Sequence, residues 1–260
     1  MNTETNKDSY TRLRDLVWLL VQRDLRVRYR GSVLGYLWSM MNPLLTMIIL
    51  TFVFSHLMKF KIDNFAMFIL SGLLTWNLFH QGLMIGVNSI LANGGLLRKV
   101  KVPAAIFPLA SVASVLVNFV LAFVPFFLVA FATGLKITPW ILLTPVLLLP
   151  LLIFTYGAAL CLASLNVLFK DVSHILDPIL TMAFYATPIV YPVSVLPEKY
   201  ANLLMFNPIA HFIETLRAVL YNGVAPNLNS VFMIFILAAI SLIIGLITYR
   251  MTRDKFIYYI

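Results

Sequence analysis

The chain has 260 residues, of which 61% are hydrophobic and only 11% charged, with a formal net charge of +9 and a mean hydropathy of +0.93. Soluble domains carry about a quarter charged residues, and a chain of this length could not hide so much apolar surface in one core, which excludes a water-soluble globule. The one cysteine, Cys161, excludes an intrachain disulfide and a cysteine-based metal site.

In chain order, the opening MNTETNKDSY is polar and holds no apolar core ahead of a cleavage site, so no signal peptide is expected. From Tyr10 to Arg30, Leu13, Leu16, Val17, Leu20 and Val27 recur at helical spacing, while Arg12, Asp15, Arg23, Arg26 and Arg30 fill much of the rest. That pattern predicts an amphipathic helix over 10–30 lying in the membrane interface. Its last turns, RDLRVRYRGS (23–32), hold four arginines. An anchor on anionic lipid and a docking element for a soluble partner both explain them. A nucleic-acid patch does not, since no folded binding module accompanies it.

A bilayer core takes about 20 apolar residues per helix. Six runs qualify: Leu37–Met58, Phe65–Leu91, Ala104–Thr133, Trp140–Leu168, Ile175–Tyr191 and Ser230–Tyr249. The fifth is short and ends in TPIVYP, where Pro188 and Pro192 interrupt it. A seventh candidate, EKYANLLMFNPIAHFIETLRAVLYNG (198–223), contains Asn202, Asn207, Pro208, His211, Glu214 and Arg217. Each central charge costs about 2.5–3.5 kcal/mol on insertion. Two short amphipathic helices broken at Asn207-Pro208, forming a re-entrant or interfacial hairpin, fit better.

With six spans and the N-terminus inside, seven Lys/Arg precede the first span (Lys7, Arg12, Arg14, Arg23, Arg26, Arg28, Arg30). Arg98, Lys99, Lys101, Lys170, Arg250, Arg253 and Lys255 join them on the inner face, against Lys59, Lys61, Lys136, Lys199 and Arg217 outside. This asymmetry is the positive-inside pattern, and a seventh span would spoil it.

Two inner loops mix apolar and basic residues: NGGLLRKVKVP (93–103) and NVLFKDVSHILDP (166–178). Either is a plain helical turn or the kind of loop that a groove on a soluble partner grips. Gly31/Gly35 and Gly82/Gly86 have the spacing that permits close helix approach. Asn77, His80, Gln81 and Asn118 are polar at membrane depth and are candidates for an aqueous lining, with His80 read as a satisfied buried histidine. Cys161 is read as a small buried hydrophobe. The 20 Phe, 11 Tyr and 4 Trp supply an interfacial belt, for instance Trp38, Trp140 and Tyr249, or a path on which sugars stack. No phosphate loop, HExxH or GxSxG is present, and the four histidines are too dispersed for a metal site. Asp171, His174 and Asp177 are the only acidic–His cluster that a membrane-embedded lipid or glycosyl transferase would use.

Arg23-Asp24-Leu25, Arg28-Tyr29, Leu34-Gly35, Trp38 and Asn42-Pro43, followed by LLRKVKVP, FKDVSHIL, TPIVYP and NPIAHFIETLR, together resemble the membrane subunit of type-2 ATP-binding-cassette exporters. The likeness is to the polysaccharide branch, which exports O-antigen, teichoic acid and capsule. It implies an all-α membrane protein, one transmembrane domain over 1–260, in the cytoplasmic (inner) membrane with both termini cytoplasmic. It carries an interface helix (10–30), spans one to five (37–191), an outer gate hairpin (192–225) and span six (230–249). The resemblance also implies a homodimer and two copies of a separate nucleotide-binding ATPase. No cofactor is expected in this chain, because ATP and Mg sit on the partner. The implied substrate is an undecaprenyl-diphosphate-linked glycan. Arg23, Asp24, Leu97, Arg98, Lys99, Phe169, Lys170 and Asp171 would contact the ATPase, and Arg26, Arg28 and Arg30 would border the substrate entrance. Tyr36, Trp38, Phe52, Phe184 and Tyr185 would line the channel, while Pro192, Asn207, Pro208, Glu214 and Arg217 would belong to the outer gate. A drug efflux permease is disfavoured by the brief first outer loop around Lys59–Asp63.

Overall fold

Apolar runs without internal charge leave backbone groups in lipid no partner but one another, and helices are the local solution. The computed structural model describes residues 2–57, 62–100, 102–197, 199–200, 204 and 206–259, without the side chains of 2–12 and 55–57. Lys59, Lys61 and Lys101, and the side chains of Lys7 and Arg12, therefore lie outside the described residues, as does most of the helix expected before Asn207-Pro208. Among the described residues there is no strand.

Helix α1 runs Asn2–Tyr29. α2, Leu37–Thr51, continues as a π-helical turn, Phe52–Leu57. α3 is Phe65–Ala92 and α4 the short Gly94–Leu97. α5 is Ile106–Thr133, closed by Gly134 in the left-handed region at φ 69°. A 3-10 turn, Pro139–Leu143, leads into α6, Thr144–Leu168. α7 is Asp171–Ala186, α8 Pro208–Leu220, α9 Leu228–Thr252 and α10 Phe256–Tyr259.

Five stretches are long and apolar enough to cross a bilayer: Leu37–Phe54, Phe65–Ala92, Ile106–Thr133, Pro139–Leu168 and Leu228–Tyr259. They match expected spans one to four and six. The stretch expected as the fifth span holds α7, which is not among these five: its 16 residues extend only about 24 Å at 1.5 Å per residue, against about 30 Å of hydrocarbon. Its shortness has a local cause: Thr187 turns extended and Pro188 follows.

α3 is the hub. It packs against α2, α5, α6, α7 and α8, and 72% of its apolar window is buried, against 11% for the first span. The main core joins Leu70, Leu73, Leu74 and Leu78 of α3 to Phe126 of α5, Leu151 of α6 and Phe212 of α8. A second core gathers at the α1 end of the bundle, where Leu20, Val21 and Leu25 of α1 meet Ile90, Phe107, Ala163, Val167 and Phe256. Leu13, Leu16 and Val17 continue that stripe, half-buried. Val27, expected on it, is 66% exposed, because the stripe steps through Leu25 to Tyr29 instead.

The glycine pairs divide. A Cβ at Gly82 or Gly86 would meet Thr155 or Ala159 of α6, so that pair permits close approach, as expected. Gly31 and Gly35 do not: both have positive φ, at 74° and 49°, in the turn between α1 and α2, and a methyl at either would meet nothing within 4 Å. The tightest crossing joins Gly157 of α6 to Gly245 of α9, backbone against backbone.

Candidate functional site

The last turns of α3 carry two hydrogen-bonded corners. At the first, Arg23 of α1 donates through Nη1 to Asn93 Oδ1 at 2.6 Å while pairing with Asp24 at 2.8 Å. Asn93 Nδ2 donates in turn to the Ser89 carbonyl at 2.7 Å. α1 is thus tied to the α3–α4 turn, with Leu96 and Leu97 half-buried in the second core. Beyond them Arg98, Lys99 and Val100 are exposed.

The second corner is built on Asn166, which is fully buried. Its Nδ2 donates to the Val87 carbonyl at 3.1 Å and to Asn88 Oδ1 at 3.2 Å, and its Oδ1 accepts from the Ser173 backbone N–H at 3.1 Å. One side chain therefore fixes the end of α6, the start of α7 and the end of α3. The turn it holds presents Phe169, 63% exposed, with exposed Lys170 and Asp171. The sequence marks this loop by composition, but nothing local to it marks Asn166 as its brace.

Further along, a cavity of about 440 Å³ opens between α1, α2, α3 and α5. Its walls include Arg28, Tyr29, Trp38, Asn77, Gln81 and Asn118. Three of the four polar residues expected at an aqueous lining, Asn77, Gln81 and Asn118, therefore stand together. His80 instead lies half-buried beside the Trp76 ring at 6.0 Å. Arg28 Nη1 donates to Gln81 Oε1 at 3.3 Å, and Tyr29 Oη donates to Asn118 Oδ1 at 2.9 Å. Arg26 and Arg30 are exposed on the same helix end. Of the channel candidates, only Trp38 lines this cavity. Tyr36 packs its ring 4.5 Å from Tyr29, and Phe52 is 61% exposed. Phe184 packs edge-on to Trp76 at 5.6 Å, and Tyr185 is exposed beside it.

At the opposite end, Asn207 caps α8: its Oδ1 accepts from the Ile209 N–H at 3.0 Å, Pro208 occupies the first turn, and Nδ2 reaches Thr187 Oγ1 at 2.9 Å. Arg217 is 2% exposed. It donates to the carbonyls of Pro188 at 3.0 Å and Ile189 at 3.1 Å, and to Glu214 at 2.6 Å, with its guanidinium 3.8 Å over the Phe68 ring. Burial pushes its pKa below the ordinary guanidinium value, and the neighbouring Glu214 pushes it back up. Glu214 is half in solvent, and Pro192 sits half-buried at the turn they brace. Tyr221 closes the group by donating to the Asp63 carbonyl. Cys161 is half-buried, its Sγ 3.5 Å from Thr248 Oγ1.

A bundle with five helices long and apolar enough to cross a bilayer defines a multi-pass membrane protein. The chain belongs to the ABC-2 type transporter family, whose profile matches residues 15–221. It is 36% identical to the O-antigen export system permease protein RfbA of Myxococcus xanthus, over 89% of this chain and 88% of that one. To the protein of the same name in Klebsiella pneumoniae it is 31% identical over 93% of both. The polysialic acid transport protein KpsM of Escherichia coli is 27% identical over 91% of this chain and 92% of that protein.

Proposed function

We propose that this chain is the membrane permease subunit of an ATP-driven exporter of lipid-linked polysaccharide, O-antigen in type, in the cytoplasmic membrane. The observation that carries the reading is the 36% identity with an O-antigen export permease along nearly the whole chain. Capsule export stands behind it at 27%. In this reading two copies form the transporter, two ATPase subunits bind ATP and Mg below it, and both termini lie in the cytoplasm. The exposed apolar faces of α2 and its π-helical continuation (Leu45, Ile48, Phe52) and of α7 (Ile175, Ile179, Met182) fit a subunit interface lining a conduit for an undecaprenyl-diphosphate-linked glycan.

The transmission of force follows from the two corners. A push on Phe169–Asp171 or on Arg98–Lys99 reaches α3 through Asn166 or through the α4 turn, and Arg23 couples α1 to the same point. Because α3 is packed on five other helices, displacement at its end moves the bundle rather than one loop. α7 is the sixth crossing: beyond Ala186 the chain is extended at Thr187 and then turns, with Thr187, Ile189 and Val190 buried, and non-helical backbone at membrane depth is tolerated where protein satisfies its carbonyls. Arg217 does this for Pro188 and Ile189.

The test is genetic and biochemical together. In a host lacking the chain, surface polysaccharide is expected to disappear and lipid-linked glycan to accumulate inside. Wild type should restore export. Arg98→Glu combined with Asp171→Arg should not, and the doubly substituted chain should lose co-purification with the ATPase. Normal export with unchanged ATPase association would sink the assignment of these loops, and normal surface polysaccharide without the chain would sink the exporter reading.

A further inference from the structure

α7 turns two different strips away from the bundle. Leu176 and Leu180 are buried on its packed side. At about 100° per residue, Ile175, Ile179 and Met182 form one exposed strip, which is apolar. His174, Asp177, Thr181 and Tyr185 form the other, also exposed, and each carries a hydrogen-bonding group. Lipid alone gives such a strip nothing to bond, and polar side chains at membrane depth are costly unless they face protein or water.

Asp177 is the residue on which the strip turns. From Leu37 to Leu168 the only carboxylate is Asp63, in an outer loop. Asp171 sits in the first turn of α7, where the helix N-terminus favours negative charge. Asp177 lies about 9 Å further along at 1.5 Å per residue, beyond that help. Asp15, Asp24, Glu214 and Asp254 each pair with an arginine, whereas no cation among the described residues pairs with Asp177. His80 of α3, half-buried, is near enough to feel its charge but forms no ion pair with it. An exposed carboxylate without a counter-charge, nearly two turns into a membrane helix, is tolerated where it meets water.

We propose that Asp177 is a specificity-determining residue of the export path, its carboxylate accepting hydrogen bonds from the hydroxyls of an uncharged glycan and repelling a glycan that carries carboxylates of its own. The inference rests on the exporter reading and adds which glycans pass. Sugar hydroxyls donate as well as accept, so a neutral chain offers the carboxylate a partner residue after residue. A fixed charge in a narrow, low-dielectric passage acts more strongly than one in bulk water, and charged side chains set selectivity in pores in this way. The lipid diphosphate passes once per chain, whereas a uronic-acid polymer meets Asp177 at every charged sugar. Tyr185 extends the strip with a ring on which a sugar can stack.

The test uses the full-length chain with its ATPase in proteoliposomes, with undecaprenyl-diphosphate-linked oligomannose and oligoglucuronate of equal length as probes. The rate at which each glycan reaches the far side is measured. Wild type is expected to move oligomannose about tenfold faster than oligoglucuronate at low salt. Asp177→Asn, nearly isosteric at an exposed position, should shrink that ratio to about threefold or less, and Asp177→Glu should keep it. Raising the salt from about 0.01 M to about 1 M cuts the screening length from about 30 Å to about 3 Å. That change should narrow the ratio for wild type and leave it alone for Asp177→Asn, a response that a merely structural role would not produce. Both glycans moving alike in wild type, or a wild-type ratio in Asp177→Asn, would overturn the inference and leave the exporter reading standing. If wild type hydrolyses ATP but moves neither glycan, the exporter reading fails and takes the inference with it.

Discussion

Arg217 shows how one side chain settles where a length of backbone can go. An arginine buried to 2% exposure is expensive unless its guanidinium meets partners that replace water. Here two carbonyls, a carboxylate and the Phe68 ring meet it. Arg217→Met removes the donors and strands the carbonyls of Pro188 and Ile189. Breaking a buried charged network costs about 3–5 kcal/mol, and the lower end applies because Glu214, half in solvent, can rehydrate. The thermal midpoint of the purified chain in detergent should fall by several degrees, at about 2–4 °C per kcal/mol for a chain of this size. Arg217→Lys should recover part of the loss, since an ammonium is a point donor and cannot fork between two carbonyls. Equal midpoints for Met and wild type would remove the brace from the account. The sequence displayed Glu214 and Arg217 as charges unfit for a span, three residues apart. It did not display Pro188 and Ile189 as the acceptors, because that contact closes a gap of nearly thirty residues.

Between elements, the α6–α9 crossing is the place where packing is tightest, and it was the least legible. Gly82 and Gly86 show themselves by spacing within one helix. Gly157 and Gly245 are single glycines in separate spans, and only the fold brings their backbones together. A methyl at Gly245 would run into the Gly157 backbone, which no rotamer change relieves, so α9 must shift along its length. Overpacking of this kind costs about 1–3 kcal/mol. Gly95→Ala in α4 makes the control, because nothing lies within 4 Å of the added carbon, and alanine for a helical glycine gains about 0.5–1 kcal/mol. Measured together in one detergent, Gly245→Ala should unfold at lower temperature than wild type, and Gly95→Ala at the same temperature or higher. The reverse order would mean that α9 is not seated on α6 as described. The same contrast explains the fate of Gly31 and Gly35. Their spacing fits a helix-packing motif, but positive φ at both makes them turn residues, and a four-residue spacing carries no information about which of the two a chain will choose.

For the whole molecule the number of crossings sets the topology, since parity decides on which side each end lies. Continuous apolar runs made four spans and the last one legible from composition alone, because lipid forces each into one helix. The stretch between them resisted that reading: α7 is 16 residues long, and the chain beyond it, through Val190, is non-helical, with the Pro188 and Ile189 carbonyls satisfied from α8. Five crossings would put the basic N-terminal stretch and the basic tail on opposite faces. That separates Arg23, Arg26, Arg28 and Arg30 from Arg250, Arg253 and Lys255 against the usual charge asymmetry, whereas six keeps them together. The two cases differ at positions that the structure exposes, Lys170 before α7 and Ser194 after it. In a Cys161→Ala chain, Ser194→Cys should react with a membrane-impermeant maleimide on spheroplasts, and Lys170→Cys only after the membrane is opened. A short α7 that merely dips into the bilayer would place both on one side, and the two cysteines would then label under the same condition.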